Sequence, residues 1–332
     1  MQRADAILGL GLESSCDETA ASVVRNGREI LSNVIYSQIG LHREYWGVVP
    51  EIASRAHLEK INRLVDTALG EAGVGFKDLD YVAATSRPGL VGSLLIASQS
   101  AKAISFSCGI PYIAVNHLEA HLYAPFLEGW NPEYPYIGLL VSGGNTVLYR
   151  VDGVGALTVL GRTVDDAVGE AFDKVAKFLE LGYPGGPIIE KLARTAAHRN
   201  ILFPKILPDS GEYRFSYSGI KTAVITYMKE YPAADHAEVV YAFQERALEL
   251  LVRRAFQALR EHGATAIVVA GGVAANGRLR EMMEESRRNG ETVILPSPVL
   301  CTDNAAMVAG IGYPYFMRGN RDPLSAEVSA RV

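Results

Sequence analysis

The N-terminal part of the chain alternates short apolar runs with turn residues. The stretch "AILGLGLESSCDETAASVVRNGREILSNVI", residues 6–35, reads as an apolar strand, a small-residue turn at Ser14 and Ser15, a second strand, a tight Asn-Gly turn and a third strand. The stretch "PYIGLLVSGGNTVLYRVDGVGALTVLGRTV", residues 135–164, repeats this plan around the first turn "SGGN" and the second turn "DG". The pattern therefore predicts two copies of a three-stranded unit.

Each triplet of strands is followed by apolar positions at a helical period, in residues 50–73 and from residue 164 onward. Apolar strands then lead into glycine turns and helix starts at 81–95 and 266–283, and a last strand in each copy ends shortly before His117 and Asp303. This order predicts an α/β fold of two duplicated lobes, 1–134 and 135–332, with a ligand cleft between them. It leaves open whether the extreme C-terminal helix packs back on the N-terminal lobe.

Composition narrows the class of protein. A hydrophobic fraction of 48% over 332 residues is enough for a continuous core, and no apolar run reaches the roughly 18 residues that span a bilayer. Three cysteines without CxxC spacing favour a reducing compartment, so we expect a cytoplasmic protein with no membrane attachment. The formal net charge of −5 argues against a generally basic surface, so any RNA contact must be local or shared with a partner.

The segment "NHLEAHLYA" places His117 and His121 four residues apart, on one face of a helix. By itself the pair fits a structural role as well as a metal site. Glu119 would point away from the His117 side, which disfavours metallopeptidase chemistry. The duplication allows Asp303 to meet the two histidines, and two imidazoles with one carboxylate form an open site for a divalent metal. The duplication favours the metal site, although Asp303 could instead, or also, cap the helix that follows it.

Several glycine-rich loops suggest a nucleotide-shaped ligand. The segments "LVSGGNT", "GYPGGP" and "AGGVAANGR" let the backbone approach a ligand closely, although each alone is also an ordinary turn. Asp173 lies on a stretch that should pack inward, where it could bind a ribose hydroxyl or pair with a neighbouring lysine. The architecture resembles the actin-like and sugar-kinase ATPase fold. Lys221, in "FSYSGIKTAV", could face a substrate or a partner, or simply begin a helix.

The ordered motifs together resemble one family, the tRNA N6-adenosine threonylcarbamoyltransferases (TsaD), formerly called the glycoprotease or O-sialoglycoprotein endopeptidase family. The resemblance covers essentially the whole chain and rests on "LGLESSCDETAASVV", "VVPEIASRAHLEKI", "RPGLVGSLL", "NHLEAHLYA", "LLVSGGNT", "DDAVGEAFDKVAKFLELGYPGGP", "FSYSGIKTA", "GGVAANGRLR" and "CTDNAAMVAGIG". It implies an actin-like fold and transfer of a threonylcarbamoyl group from threonylcarbamoyl-AMP to N6 of adenosine 37 in tRNAs that read ANN codons.

The resemblance also implies site residues, cofactor and partners. The metal ligands are His117, His121 and Asp303, and the expected ion is iron(II), with zinc as the alternative. The implied substrate-binding positions are Leu140, Val141, Ser142, Gly143, Gly144, Asp173, Gly186 and Asn276, with Glu190, Ser14 and Lys221 as weaker assignments. Some relatives have a metal-ligating Tyr where this chain has Leu140, which indicates the bacterial branch. In that branch the enzyme works with an inactive paralogue (TsaB-like) and a P-loop ATPase (TsaE-like).

Two other classes of function compete with this assignment. A sugar-kinase-like ATPase shares the predicted fold and the phosphate-binding turns, but gives no reason for two histidines and an aspartate to converge. A non-catalytic scaffold of a tRNA-modification complex would need no open metal site.

Overall fold

The computed structural model describes residues 6–207 and 212–331. The strands run in the order β1 (Leu8–Glu13), β2 (Glu18–Arg25), β3 (Glu29–Ser37), β4 (Tyr81–Arg87), β5 (Tyr112–Asn116), β6 (Tyr136–Val141), β7 (Thr146–Gly153), β8 (Ala156–Arg162), β9 (Ala266–Ala270) and β10 (Thr292–Ile294). The predicted strand–turn–strand–turn–strand plan is thus present at both places in the chain.

The helices are α1 (Ile39–His42), α2 (Pro50–Ala72), α3 (Val91–Cys108), α4 (His117–Tyr123), α5 (Val168–Phe178), α6 (Gly185–Ala193), α7 (Ser218–Glu230), α8 (His236–Glu261), α9 (Gly277–Ser286), α10 (Pro298–Cys301) and α11 (Ala305–Met317). Helix α2 shows why the boundaries fall where they do. It begins at Pro50, whose fixed φ suits a first helical position, and ends at Gly73 in the left-handed region with φ 67°. Among the described residues, no helix combines the length and apolar character that a bilayer crossing requires.

The chain divides into two compact units, and each contains a five-stranded sheet with the same topology. In the first unit the strand order is β3-β2-β1-β4-β5, and in the second it is β8-β7-β6-β9-β10. In each unit the first three strands pair antiparallel, and the last two continue the sheet in parallel. Parallel pairing requires crossovers, which α2 and α3 supply in the first unit. The duplication predicted from the turn pattern is therefore confirmed.

The first unit is discontinuous in sequence, because it combines Met1–Asn131 with Thr302–Val332, while the second is Pro132–Cys301. Helix α11 returns to pack on β1. A Cβ on Gly11 would lie 2.3 Å from the Ala305 carbonyl oxygen, so glycine at this position permits the close approach. Tyr81 on β4 also donates a hydrogen bond to the Ala309 carbonyl at 2.6 Å.

These two units differ from the predicted lobes 1–134 and 135–332. The main difference is that the chain from Thr302 onward belongs to the first unit. The reason is burial. Residues 305–312 of α11 are all buried, and an apolar helix of this kind must be covered by a sheet. The sequence left this return open for the extreme C-terminal helix.

The second unit has its core around α8, which packs beside the sheet. Its N-terminus is capped by Asp235, whose side chain accepts the Ala237 N–H at 2.9 Å. Phe243 on α8 meets Phe172 on α5 edge-to-face, with ring centroids 5.0 Å apart. Helix α5 is thereby held against the unit's core, and its first turn contacts the "SGGN" loop that links β6 to β7, where the Gly169 N–H donates to the Ser142 carbonyl at 3.2 Å.

Candidate functional site

The two histidines are positioned by the end of strand β5. Asn116 is the last residue of β5, and its side chain accepts the Leu118 N–H at 2.9 Å, which starts α4 at His117. Because α4 is helical from there, His121 falls on the same face, and the two imidazole centroids are 4.6 Å apart. Both side chains are buried.

Asp303 reaches the same place from the start of α11. The cap of α11 is Asn304, whose side chain accepts the Met307 N–H at 3.0 Å. Asp303 is therefore not needed as the cap, which resolves the two roles that the sequence left open for it. Its Oδ1 lies 3.0 Å from His121 Nε2 and 3.5 Å from His117 Nε2.

These three side chains fit a metal ion. Each offers one ligand atom, and the three atoms lie within 4.8 Å of one another. Two imidazole nitrogens and one carboxylate are a donor set that first-row divalent metals accept, with positions left for substrate or water. Glu119 takes no part, because its Oε2 accepts a hydrogen bond from Tyr315 at 2.7 Å. The arrangement of a zinc peptidase, with a glutamate poised beside the metal, is therefore not formed here.

The charges around the site favour a cation. Desolvation by itself would lower the pKa of His117, but Asp303 and Glu13 outweigh it and raise that pKa to about 9. Burial opposes ionisation of Asp303, yet the two histidines lower its pKa to about 2. The pKa of His121 is lowered, mainly by burial. Two carboxylates with lowered pKa values thus lie beside two buried imidazoles, and their negative charge would attract a divalent ion that displaces the proton of His117.

Sequence reasoning missed Glu13, which is fully buried beside His117. Burial raises its pKa, but the charge of His117 and their hydrogen bond lower it further, so the net shift is downward. A signal did exist in the sequence. Glu13 ends the apolar run "LGLGLE", just as the apolar strand before His117 ends next to that histidine. A charged residue at the end of a buried strand is unusual unless it has a partner.

In the second unit, the predicted turn at 142–144 joins β6 to β7. The Ser142 N–H donates to the Asn145 carbonyl at 2.8 Å, and the Asn145 N–H donates back to Ser142 Oγ at 3.0 Å. Gly143 and Gly144 are exposed, neither has a positive φ, and a Cβ on either would meet nothing within 4 Å. The protein's own packing gives no reason for these two glycines, so the open space suits a ligand that approaches the backbone.

Leu140 and Val141 precede this turn on β6. Both side chains are fully buried in the sheet, so only their backbone groups could face a ligand. The Leu140 side chain has no metal-ligating atom.

The remaining predicted ligand residues of this unit make hydrogen bonds around the starts of two helices, α6 and α9. Asp173 on α5 accepts the Gly185 N–H at 2.7 Å, next to Gly186 at the start of α6. Glu190 on α6 accepts the Gly277 N–H at 3.0 Å. Asn276 accepts the Leu279 N–H at 3.0 Å, which caps α9, and it donates to Gln244 at 3.1 Å. The loops "GYPGGP" and "AGGVAANGR" are therefore neighbours.

Two weaker assignments are engaged elsewhere. The Ser14 hydroxyl donates a hydrogen bond to the Ser93 carbonyl at 2.6 Å and accepts one from the Ala97 N–H at 3.1 Å. Both of these hydrogen bonds are made to α3. Lys221 forms a close ion pair with Asp166, which also pairs with Lys174. The Ser14 hydroxyl thus makes no contact with the histidine pair, and Lys221 belongs to the second unit.

Solved structures with the same fold identify its class. The chain matches HypF from T. kodakarensis with a TM-score of 0.64 and 15% identity, over 94% of this chain and 48% of that one. It matches the activator of 2-hydroxyisocaproyl-CoA dehydratase from Clostridium difficile with a TM-score of 0.54 and 14% identity, over 96% and 100% of the two chains. At these identities the likeness shows the fold alone. The class is the actin-like ATPase fold, as predicted.

Sequence relatives narrow the class to one family. The family model "TsaD: tRNA N6-adenosine threonylcarbamoyltransferase" matches residues 29–310. A Treponema denticola protein named tRNA N6-adenosine threonylcarbamoyltransferase is 50% identical over 329 residues, covering 97% of this chain and 96% of that protein. A protein of the same name from Syntrophus aciditrophicus is 48% identical over 327 residues, with 97% and 96% covered. The chain therefore belongs to the tRNA N6-adenosine threonylcarbamoyltransferase family.

Proposed function

We propose that this protein is a transferase that places a threonylcarbamoyl group on N6 of adenosine in tRNA. Family membership over nearly the whole chain supports the activity. The single structural observation that carries it is the convergence of His117, His121 and Asp303, with all three ligand atoms within 4.8 Å. A protein that had lost its catalytic role would have no need to retain this set.

Further details extend this proposal. The donor is threonylcarbamoyl-AMP, the target is adenosine 37 of tRNAs that read ANN codons, and the working partners are an inactive paralogue and a P-loop ATPase. Leu140, which is typical of the bacterial branch, supports this choice of partners. Because tRNA is the substrate, the protein is expected to act in the cytoplasm.

The triad would hold one divalent ion through His117, His121 and Asp303. A set of two histidines and one carboxylate with open positions is typical of non-haem iron(II), which we favour, and zinc also accepts it. When bound, such an ion supplies Lewis-acid polarisation of a carbonyl or phosphoryl oxygen of the donor. His117 and His121 supply neutral nitrogen ligands from one rigid helix, and Asp303 supplies the negative charge that offsets the ion.

The loops of the second unit would hold the donor. The backbone N–H groups of Ser142, Gly143 and Gly144 would donate to phosphate or carbonyl oxygens as charge develops there. The adenylate part would contact residues around the starts of α6 and α9, namely Asp173, Gly186, Glu190 and Asn276. Since an exocyclic amine is a weak nucleophile, holding it against an activated donor would supply much of the acceleration.

The competing functions have less support. A sugar kinase would use the same fold, but family membership points away from it and its chemistry needs no histidine pair. A scaffold of a tRNA-modification complex would tolerate loss of the metal ligands without loss of its role.

The test is nucleoside mass spectrometry of unmodified ANN-decoding tRNA, incubated with this protein, its partners and threonylcarbamoyl-AMP. Wild type and His198→Ala, an exposed histidine, should form N6-threonylcarbamoyladenosine, while His117→Ala should not. Modification by all three proteins would remove the metal role. No product from any of them, with folded protein and intact donor verified, would overturn the transferase proposal.

A further inference from the structure

Glu13 closes strand β1 with a carboxylate that has no access to solvent. A buried carboxylate is costly unless hydrogen-bond donors surround it. Three donors do so: the Ser15 N–H lies 2.6 Å from Oε1, the Thr85 hydroxyl 2.5 Å from Oε2, and His117 Nδ1 3.0 Å from Oε2. Thr85 is fully buried and Ser15 almost so. The carboxylate is thus held rigidly while it contacts one of the two histidines.

We propose that Glu13 is a positioning residue that orients the imidazole of His117 for metal binding. This inference rests on the metal role proposed above for His117. An ionised carboxylate can only accept hydrogen bonds, so His117 Nδ1 must carry a proton to donate to it. In the neutral ring, Nε2 then has no proton and presents its lone pair. Nε2 is the atom that lies 3.5 Å from Asp303.

The sheet explains why this contact is rigid. Strands β1 and β4 pair in parallel with Leu12 opposite Ala84, and β4 pairs in parallel with β5 with Thr85 opposite Val115. Glu13 and Thr85 therefore lie at the carboxyl ends of neighbouring strands, and His117 follows the end of the next strand. A ligand supported from such strand ends is held more precisely than one supported by a loop.

The second histidine has no equivalent support. Nδ1 of His121 is buried, and it has no hydrogen-bond partner among the described residues. Because a carboxylate behind a metal-bound imidazole makes the ring a better ligand, the two histidines should differ. His117 should be the anchored, stronger ligand, and loss of Glu13 should weaken that ligand alone.

The first measurement uses wild-type protein loaded with zinc and labelled with ¹⁵N-histidine. The expected NMR spectrum shows His117 bound through Nε2, with a proton on Nδ1 whose signal is shifted strongly downfield by the carboxylate acceptor. A proton on Nε2, or metal bound through Nδ1, would overturn the inference. This measurement needs no variant, so it stands even if substitution of a buried residue prevents folding.

The second measurement compares Glu13→Gln with Glu291→Gln by competition titration of Zn²⁺ against a chelator. Gln keeps the shape of Glu13 but removes its charge, so metal affinity should fall about 10–100-fold and the Nδ1 proton signal should move upfield. Glu291 lies in the second unit, where it accepts from Arg260 at 2.8 Å, and its variant should bind metal as wild type does.

The outcomes separate the two proposals. An affinity within about twofold of wild type in Glu13→Gln, with an unchanged proton signal, would overturn the positioning role. If His117→Ala loses the metal while Glu13→Gln keeps it, only this inference fails. If His117→Ala binds metal as tightly as wild type, the metal role itself fails.

Discussion

His117 and His57 are both buried imidazoles in the first unit, yet their surroundings differ in one decisive respect. His117 contacts the carboxylates of Glu13 and Asp303, which raise its pKa to about 9 despite the opposing effect of burial. Among the described residues, the hydrogen-bond partners of His57 are all neutral, and burial lowers its pKa. Burial disfavours the charged ring in both places, so the charge of the partners decides the outcome.

The partners of His57 form an ordered chain of hydrogen bonds. His57 Nε2 donates to the Cys16 carbonyl at 3.0 Å, and Nδ1 accepts from the Thr19 hydroxyl at 2.7 Å and the Gln38 amide at 3.2 Å. Gln38 in turn accepts from His42 Nε2 at 3.2 Å. Because Nδ1 of His57 accepts hydrogen bonds while Nε2 donates one, these contacts require the neutral ring of His57. One histidine is thus arranged for a cation, and the other ties α1 and α2 to the turn after β1.

The largest expected effect separates the two histidines by metal affinity. His117→Ala removes a ligand, so affinity for Zn²⁺ should fall by at least about 100-fold, more than loss of an outer partner would cause. In His57→Ala it should stay within about threefold, because the metal ligands keep their contacts. Competition titration with a chelator measures both, and equal losses in the two variants would break the comparison.

The next effect is on folding. His57→Ala leaves buried Thr19, Gln38 and Cys16 groups without their partner and opens a cavity, so the free energy of unfolding should fall by about 2–4 kcal/mol. Urea denaturation at pH 7.5 gives the value, and the exposed His198→Ala should leave it within about 0.5 kcal/mol of wild type. A neutral result for His57→Ala would show that the hydrogen-bond chain contributes little.

A variant at Gln38 would make the surroundings of His57 more like those of His117. Gln38→Glu places a carboxylate beside His57, so the pKa of His57 should rise by about one unit or more. Gln38→Met removes the amide without adding charge and should not raise it. NMR titration of the histidine ring signals measures both, and equal shifts in the two variants would contradict the role given to charge.

The smallest effect is a pH dependence of stability. Because the folded pKa of His57 is lowered, the unfolded chain binds a proton at His57 near pH 6.5 while the folded chain does not. The contribution of His57 to the free energy of unfolding is fully present above about pH 6.5 and is lost as pH falls from there toward the folded pKa. The loss is about 1 kcal/mol between pH 6.5 and pH 5.5. The wild-type unfolding free energy should therefore fall more steeply than that of His57→Gln between pH 6.5 and 5.5. Parallel slopes would contradict this assignment.

The hydrophobic pattern was sufficient for the fold because its turns repeat. The "SS" and "SGGN" turns mark equivalent strand pairs, and the sheets have the same strand order. The duplication predicted that the His117–His121 pair and Asp303 would meet from two lobes, and the three side chains do meet, but all within the first unit. The boundary at Thr302 could not be predicted, since the return of α11 depends on the space that Gly11 leaves on β1.

Side-chain contacts between neighbouring strands could not be predicted from the sequence. The role of Glu13 depends on the register that places it beside Thr85 and His117, and no spacing along the chain encodes that register. Asn304 rather than Asp303 caps α11, because the Asn304 side chain is the one that reaches the Met307 N–H. Ser14 belongs to the correct turn, but its hydroxyl points to α3, a direction that the pattern of small residues leaves undetermined.

The discontinuity of the first unit sets an order of events during protein synthesis. Domains tend to fold from the N-terminus as the chain leaves the ribosome, but here Asp303 and α11 emerge only after the whole of Pro132–Cys301. Until then β1 lacks its covering helix, and His117 and His121 lack the carboxylate of Asp303. A nascent chain would therefore display an incomplete histidine pair, and a metal held by all three proposed ligands could bind only after Asp303 has emerged.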